Sequence, residues 1–183
     1  MEEKNNKKIT IIKDIISYAI IILIVILIRV FVFDPVRVDG ESMENTLIDG
    51  EVLILDKIKY KRSDIQRYDI VVIRVKDPIK NTEKRVIKRV IGLPNESIVI
   101  KDNKVYANGE ELNNSFASTE TANFDLEEIG FLKIPGDSYF VLGDNRAISN
   151  DSRYEEIGLI KKDQIDGKVS FRIWPINKIG VVK

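Results

Sequence analysis

Arg85-Val86-Ile87-Lys88-Arg89-Val90-Ile91-Gly92 reads most simply as a β-strand. Four of its eight residues are β-branched, and such side chains suit a pleated surface. In a strand alternate side chains share a face. Val86, Lys88 and Val90 then lie on one face, with Arg85, Ile87, Arg89 and Ile91 on the other. This pattern flanks Lys88 with valines and lets Arg85 and Arg89 reach water together.

Similar short runs recur on both sides: Val52–Leu55, Ile70–Ile73, Ile98–Ile100, Tyr139–Leu142 and Val169–Trp174. Between them lie turn formers: Asp49-Gly50, Leu93-Pro94-Asn95, Asp102-Asn103, Asn108-Gly109 and Pro135-Gly136-Asp137. No stretch after Phe33 carries a long amphipathic helical period. The expectation is a mainly β, antiparallel domain over residues 34–183. Asn113 to Glu128 is polar, its two phenylalanines show no sustained period, and it reads as a mobile surface loop.

Toward the N-terminus the pattern becomes apolar. Residues 1–14 are polar and include Lys4, Lys7, Lys8 and Lys13; residues 15–33 then form a run from Ile15 to Phe33 interrupted only by Arg29 among charges. A spanning helix needs about 20 mostly apolar residues, and Arg29 near the end can snorkel. A cleaved signal peptide calls for small residues at its cleavage site, whereas this run ends in Phe31-Val32-Phe33-Asp34-Pro35. A core helix would keep a polar face, and Ile, Leu and Val cover every face between Ile20 and Ile28. The segment therefore reads as an uncleaved transmembrane anchor. The preceding lysines favour a cytoplasmic N-terminus, with Arg29 and Arg37 as a counterweight on the other flank.

The 183 residues suffice for one domain plus an anchor. Lys+Arg and Asp+Glu both number 29, so there is no basic excess and no nucleic-acid partner is expected. There is no cysteine, which excludes disulfides, thiolate metal sites and cysteine nucleophiles. There is no histidine either, so a Ser-His-Asp triad is impossible. A hydrolase built on this chain takes its proton with Lys, Asp, Glu or Tyr, or uses a metal held by carboxylates.

Three segments can carry chemistry. In Asp39-Gly40-Glu41-Ser42-Met43-Glu44-Asn45-Thr46-Leu47, Ser42 beside a flexible glycine is either an ordinary turn residue or an exposed nucleophile. Lys88 either snorkels to water along the sheet or loses its charge by burial, and a neutral amine can accept a serine proton. The third segment, Gly143-Asp144-Asn145-Arg146-Ala147-Ile148-Ser149-Asn150-Asp151-Ser152-Arg153, supplies hydroxyls. Ser149 or Ser152 could direct a neutral lysine without restoring its charge. Asp144, Asp151, Arg146 and Arg153 suit ion pairs that brace the loop, with a metal at Asp144 and Asp151 as the alternative.

In these segments the chain closely resembles type I signal peptidases of the shorter Gram-positive form. The order of elements matches: anchor, serine box, lysine box, acidic-arginine box. Ser42-Met43-Glu44-Asn45-Thr46-Leu47 resembles the family's Ser-Met box, with Asn45 in place of the usual proline. Lys88-Arg89-Val90-Ile91-Gly92-Leu93-Pro94 resembles the lysine box, followed by Asn95-Glu96 where Gly-Asp is usual. Gly143 to Arg153 matches the third box throughout.

The resemblance implies a single antiparallel β-sheet catalytic domain of signal-peptidase-like fold behind one transmembrane helix. It implies a serine endopeptidase that removes signal peptides from secreted preproteins after Ala-x-Ala. Ser42 would be the nucleophile and Lys88 the general base, with Ser149 positioning the amine and Asp151 and Arg153 stabilising the site. The oxyanion would face the Ser42 N–H with help from position 40, where Gly40 offers no hydroxyl. Val36, Val38, Met43, Leu47 and Ile87 would shape the substrate pockets. No metal or cofactor is implied. The partners would be preproteins bearing signal peptides and a lipid bilayer. The enzyme would cross the cell membrane once, with its catalytic domain outside.

Overall fold

The computed structural model describes residues 2–76 and 82–182; Met1 and the side chains of Lys4, Lys7 and Lys8 lie outside the described residues. One helix, α1 (Glu2–Phe31), continues the polar N-terminus into the apolar run without a break. Its segment Ile11–Phe31 has a mean hydropathy of 2.7 and is long and apolar enough to cross a membrane, with none of it buried against the rest of the chain. Phe33, the last residue of the apolar run, instead opens the first strand. The end of α1 is pinned by Lys57, whose Nζ donates to Arg29 O and Val30 O (3.4 and 3.1 Å) and whose N–H donates to Val32 O. A cation on the last carbonyls satisfies acceptors that a helix C-terminus leaves open.

Among the described residues twelve strands follow: β1 (Phe33–Arg37), β2 (Val52–Asp56), β3 (Ile70–Lys76), β4 (Glu83–Gly92), β5 (Ile98–Lys101), β6 (Lys104–Ala107), β7 (Glu110–Glu111), β8 (Phe124–Asp125), β9 (Ser138–Leu142), β10 (Ile160–Lys161), β11 (Ile165–Trp174) and β12 (Gly180–Val181). A single helical turn, α2 (Lys59–Arg62), interrupts them after β2. All pairings are antiparallel. Each run read from the sequence as a strand is one.

The domain is mainly β and antiparallel, as expected, and its described strands divide into two sheets where the resemblance implies one. The larger has the order β1-β2-β11-β3-β4-β9-β10, with β12 also on β11, and the smaller is β7-β6-β5-β8. β1 is legible only in the structure, because Asp34-Pro35 looks like a terminator. Proline is tolerated in this strand because β1 lies at the sheet's edge. The β5–β6 hairpin turns at Asp102 and Asn103, both at positive φ (51° and 67°). Such a turn matches the twist of the strands it joins.

Alternation distributes the core. Ile70, Val72 and Ile87 pack with Val38, Met43, Leu47, Leu53 and Leu55 on one face. Val71, Ile73, Val90 and Val141 pack on the other with Ile160. The smaller sheet closes a third cluster around Ile98, Ile100, Phe124, Phe140 and Leu142. The segment 113–128 is more than a surface loop: Phe124 forms β8, Phe124 and Leu126 are buried, and Phe116 stacks beside Tyr68 at 5.2 Å.

Candidate active site

The turn between β1 and β2 carries Ser42. It folds back on itself through Gly40, whose φ of +88° is a conformation that glycine tolerates best, and whose N–H donates to Asp49 Oδ1 at 2.8 Å. Leu47 N–H donates to Met43 O at 2.8 Å, and the Glu44–Asn45 peptide is cis. Met43 and Leu47 are buried beneath the turn, so Ser42 faces outward on a backed platform.

Lys88 is supplied by β4 at a change of partner. β9 pairs with β4 only at Arg89, Val90 and Gly92, which leaves the stretch before Arg89 with a free edge on that side. The serine turn meets the sheet where that pairing ends: Asn145, just after β9, donates its N–H to Ser42 O at 3.1 Å. Across this junction Lys88 Nζ and Ser42 Oγ lie 2.7 Å apart and are hydrogen-bonded. Lys88 is 3% exposed. Burial pushes its ammonium down to about 8, against a smaller upward pull from Asp151; Arg153 adds to the lowering. An amine with this pKa is neutral in a useful fraction of molecules near pH 8 and can accept the hydroxyl proton.

The loop 143–153 clamps the platform. Asp144 is fully buried, takes both Nε and Nη2 of Arg89 (2.9 and 2.7 Å) and accepts from Thr46 Oγ1 at 2.5 Å. Asp151 accepts from Gly143 N–H and from Arg153 Nε at 2.8 Å. Arg153 Nη2 also donates to Arg146 O and Ser149 O. Each of these two carboxylates is thus bonded to a guanidinium, as ion-pair bracing requires. Gly143 is obligatory for packing: a Cβ there would overlap the Ser149 hydroxyl and the Ser42 carbonyl.

Several expectations change. Arg89 does not reach water with Arg85; at 1% exposure it is the buried partner of Asp144, with the Phe116 ring 3.9 Å from its Cζ. Arg146 forms no ion pair among the described residues and instead donates to Gly143 O and Thr121 Oγ1. Ser149 is buried beside Gly143, but its hydroxyl has no hydrogen-bond partner among the described residues, so no bond to Lys88 is formed. Ser152 Oγ instead accepts from Val141 N–H, which ties it to β9. The Gly40 N–H is taken by Asp49, whereas Ser42 N–H has no protein acceptor among the described residues.

A cleft of about 340 Å³ opens beside Ser42 and Lys88. Of the expected pocket residues, Val36, Val38, Met43 and Ile87 line it. Leu47 does not. It is fully buried among Val38, Met43 and Leu53, because its place on the turn points it into the core. Val72, Val86, Lys84, Arg37 and Arg85 line the cleft as well, and sequence reasoning missed them. Alternation along β4 signals Val86, whereas nothing local signals Val72, which arrives from the neighbouring strand. The same holds for Ser118, which donates to Glu44 O at 2.6 Å across 74 residues.

A family model described as signal peptidase, peptidase S26, matches residues 10–174. The chain is similar to signal peptidase I of Bacillus caldolyticus (38% identical over 165 residues, 85% of this chain and 87% of that one). It is similar to signal peptidase I of Bacillus amyloliquefaciens (36% over 188 residues, 100% and 98%) and to signal peptidase IB of Staphylococcus aureus (34% over 178 residues, 90% of each). A match spanning nearly the whole β domain, with Ser42 and Lys88 in hydrogen-bond contact inside it, places the chain in the signal peptidase S26 family of serine peptidases.

Proposed function

We propose that the chain removes N-terminal signal peptides from secreted preproteins, cutting after small residues of the Ala-x-Ala kind. The observation that carries this reading is the buried Lys88 amine 2.7 Å from Ser42 Oγ at the floor of a cleft. Neutral Nζ takes the hydroxyl proton while Oγ attacks the scissile carbonyl. The oxyanion forms against Ser42 N–H. The ammonium then protonates the departing amine, giving an acyl-enzyme. Lys88 next takes a proton from water, whose oxygen attacks the acyl carbon, and returns it to Oγ as the acyl–Oγ bond breaks, which restores the Ser42 hydroxyl and the neutral amine.

The cleft suits an extended peptide. β4 before Arg89 has a free backbone edge, and β1 is the last strand of the sheet, so main-chain pairing can hold a substrate strand. Val36, Val38, Met43 and Ile87, with Val72 and Val86, give it an apolar patch beside Arg37, Lys84 and Arg85, and that patch fits small side chains before the cut. In this reading α1 crosses the cell membrane with a cytoplasmic N-terminus, and the β domain works outside, where tethering raises its effective concentration at the cleavage site.

The test is cleavage of an Ala-x-Ala preprotein by full-length protein in detergent micelles. Ser42→Ala and Lys88→Ala are each expected to lower kcat at least 10³-fold. Full turnover by either folded variant would refute the mechanism.

A further inference from the structure

A second recess, of about 430 Å³, opens beside the end of α1, lined by Lys57, Tyr60, Lys61, Arg85, Lys162, Ile165 and Asp166. It holds four cations and one carboxylate. Asp166 is already bonded to Arg74 and Arg85, and Asp34 to Arg85 and Lys57. Lys61 and Lys162 carry no ion pair among the described residues, and both are exposed. The turn of α2 adds Lys59 and Arg62 next to them.

The position of this recess matters as much as its charge. Lys57, one of its walls, is hydrogen-bonded to the last carbonyls of α1. The recess therefore lies at the level where the apolar helix stops. If α1 spans a bilayer, that level is the headgroup layer. An exposed cationic pocket with an apolar wall from Ile165 and Tyr60 then meets phosphate above and acyl chain below.

We infer that this recess binds the phosphate headgroup of an anionic phospholipid and so fixes the tilt of the β domain on the membrane. The inference rests on the reading of α1 as a membrane anchor. Arg85 borders both this recess and the cleft, so a headgroup seated here holds the cleft mouth close to the membrane surface. Each cation near an anionic surface contributes favourably, and the attraction weakens with salt.

The experiment uses the full-length protein in neutral detergent micelles, titrated with dihexanoyl phosphatidylglycerol, dihexanoyl phosphatidylcholine or inorganic phosphate. Binding is read by native mass spectrometry and thermal shift. Saturable binding of phosphatidylglycerol alone is expected, weakened at least tenfold in Lys61→Gln/Lys162→Gln and by raised salt. The two positions are exposed, and the single variants Lys61→Gln and Lys162→Gln serve as the folded controls, each with a partial loss. Equal binding of phosphatidylcholine, equal binding of inorganic phosphate, or undiminished binding by the double variant would overturn the site. Carbonate extraction from phosphatidylcholine vesicles reads the anchor separately. Protein released by carbonate refutes the anchor, whereas retained protein without a phosphatidylglycerol preference refutes only the recess.

Discussion

In the proposed mechanism Lys88 couples catalysis to stability through one proton. Its ammonium is pushed from an ordinary 10.5 to about 8 by burial, so kcat/KM is expected to rise with pH and level off above an apparent pKa near 8. Folded and unfolded chains both hold the proton below about pH 8, and the cost of burying the charge is then carried in full. Between about 8 and 10.5 the unfolded chain binds more protons, so this group makes stability rise with pH. Lys88→Met is expected to be inactive yet more stable at pH 6, by up to about 3 kcal/mol, with the gain shrinking toward pH 10. Urea unfolding of both proteins at the two pH values checks this. Gly143 is the other sensitive position. A Cβ there displaces the Ser42 carbonyl, and Gly143→Ala is expected to lower kcat by about 10²-fold. An unchanged kcat would mean that the turn can yield without moving Ser42.

Among the elements, the β1–β2 turn does most to hold Ser42 in place for the proposed attack. It is held from three sides: Asn145 N–H on Ser42 O, Ser118 on Glu44 O, and Arg172 on Thr46 O at 2.9 Å. Leu47 anchors it from below with no exposed surface. Leu47→Ala is expected to cost about 2–5 kcal/mol by leaving a cavity. KM for a short Ala-x-Ala peptide should stay within a few-fold of the parent, measured well below the variant's Tm. A selective change in which side chain is accepted before the cut would instead return Leu47 to the pocket wall. The segment 113–128 shows why polar composition misleads. Its polar side chains bond inward to the active-site loops, as when Thr119 Oγ1 accepts from Ala147 N–H, while Phe116 and Phe124 anchor it to the fold.

Taken whole, the molecule is an apolar helix joined to a β domain by Lys57 and the start of β1. No residue from 11 to 31 is buried against the domain, and β1 begins only at Phe33. A chain beginning at Arg29 is therefore expected to fold and to cleave a soluble peptide with kcat/KM within a few-fold of full length. Its cleavage of a preprotein embedded in vesicles should fall by 10² or more, because the tether's effective concentration is lost. Equal rates on the embedded substrate would show that the helix does not deliver the domain.

Local pattern alone determined that the chain has one apolar helix, that its remainder is strand and turn, and that its chemistry must run without histidine or cysteine. Those are properties of residue type and short-range period, and neighbours along the chain set them. It left Ser42 and Lys88 open between plain and catalytic readings, and the resemblance of their segments to a known family singled them out. Only the tertiary structure decided which groups meet and which are dry. Ser42 and Lys88 are 46 residues apart, Thr46 and Asp144 are 98 apart, and Arg172 reaches back 126 residues to Thr46 O. Burial of Arg89, removal of Leu47 from the cleft and the unpartnered Ser149 hydroxyl follow from such distant packing, which no period of two residues along a strand can encode.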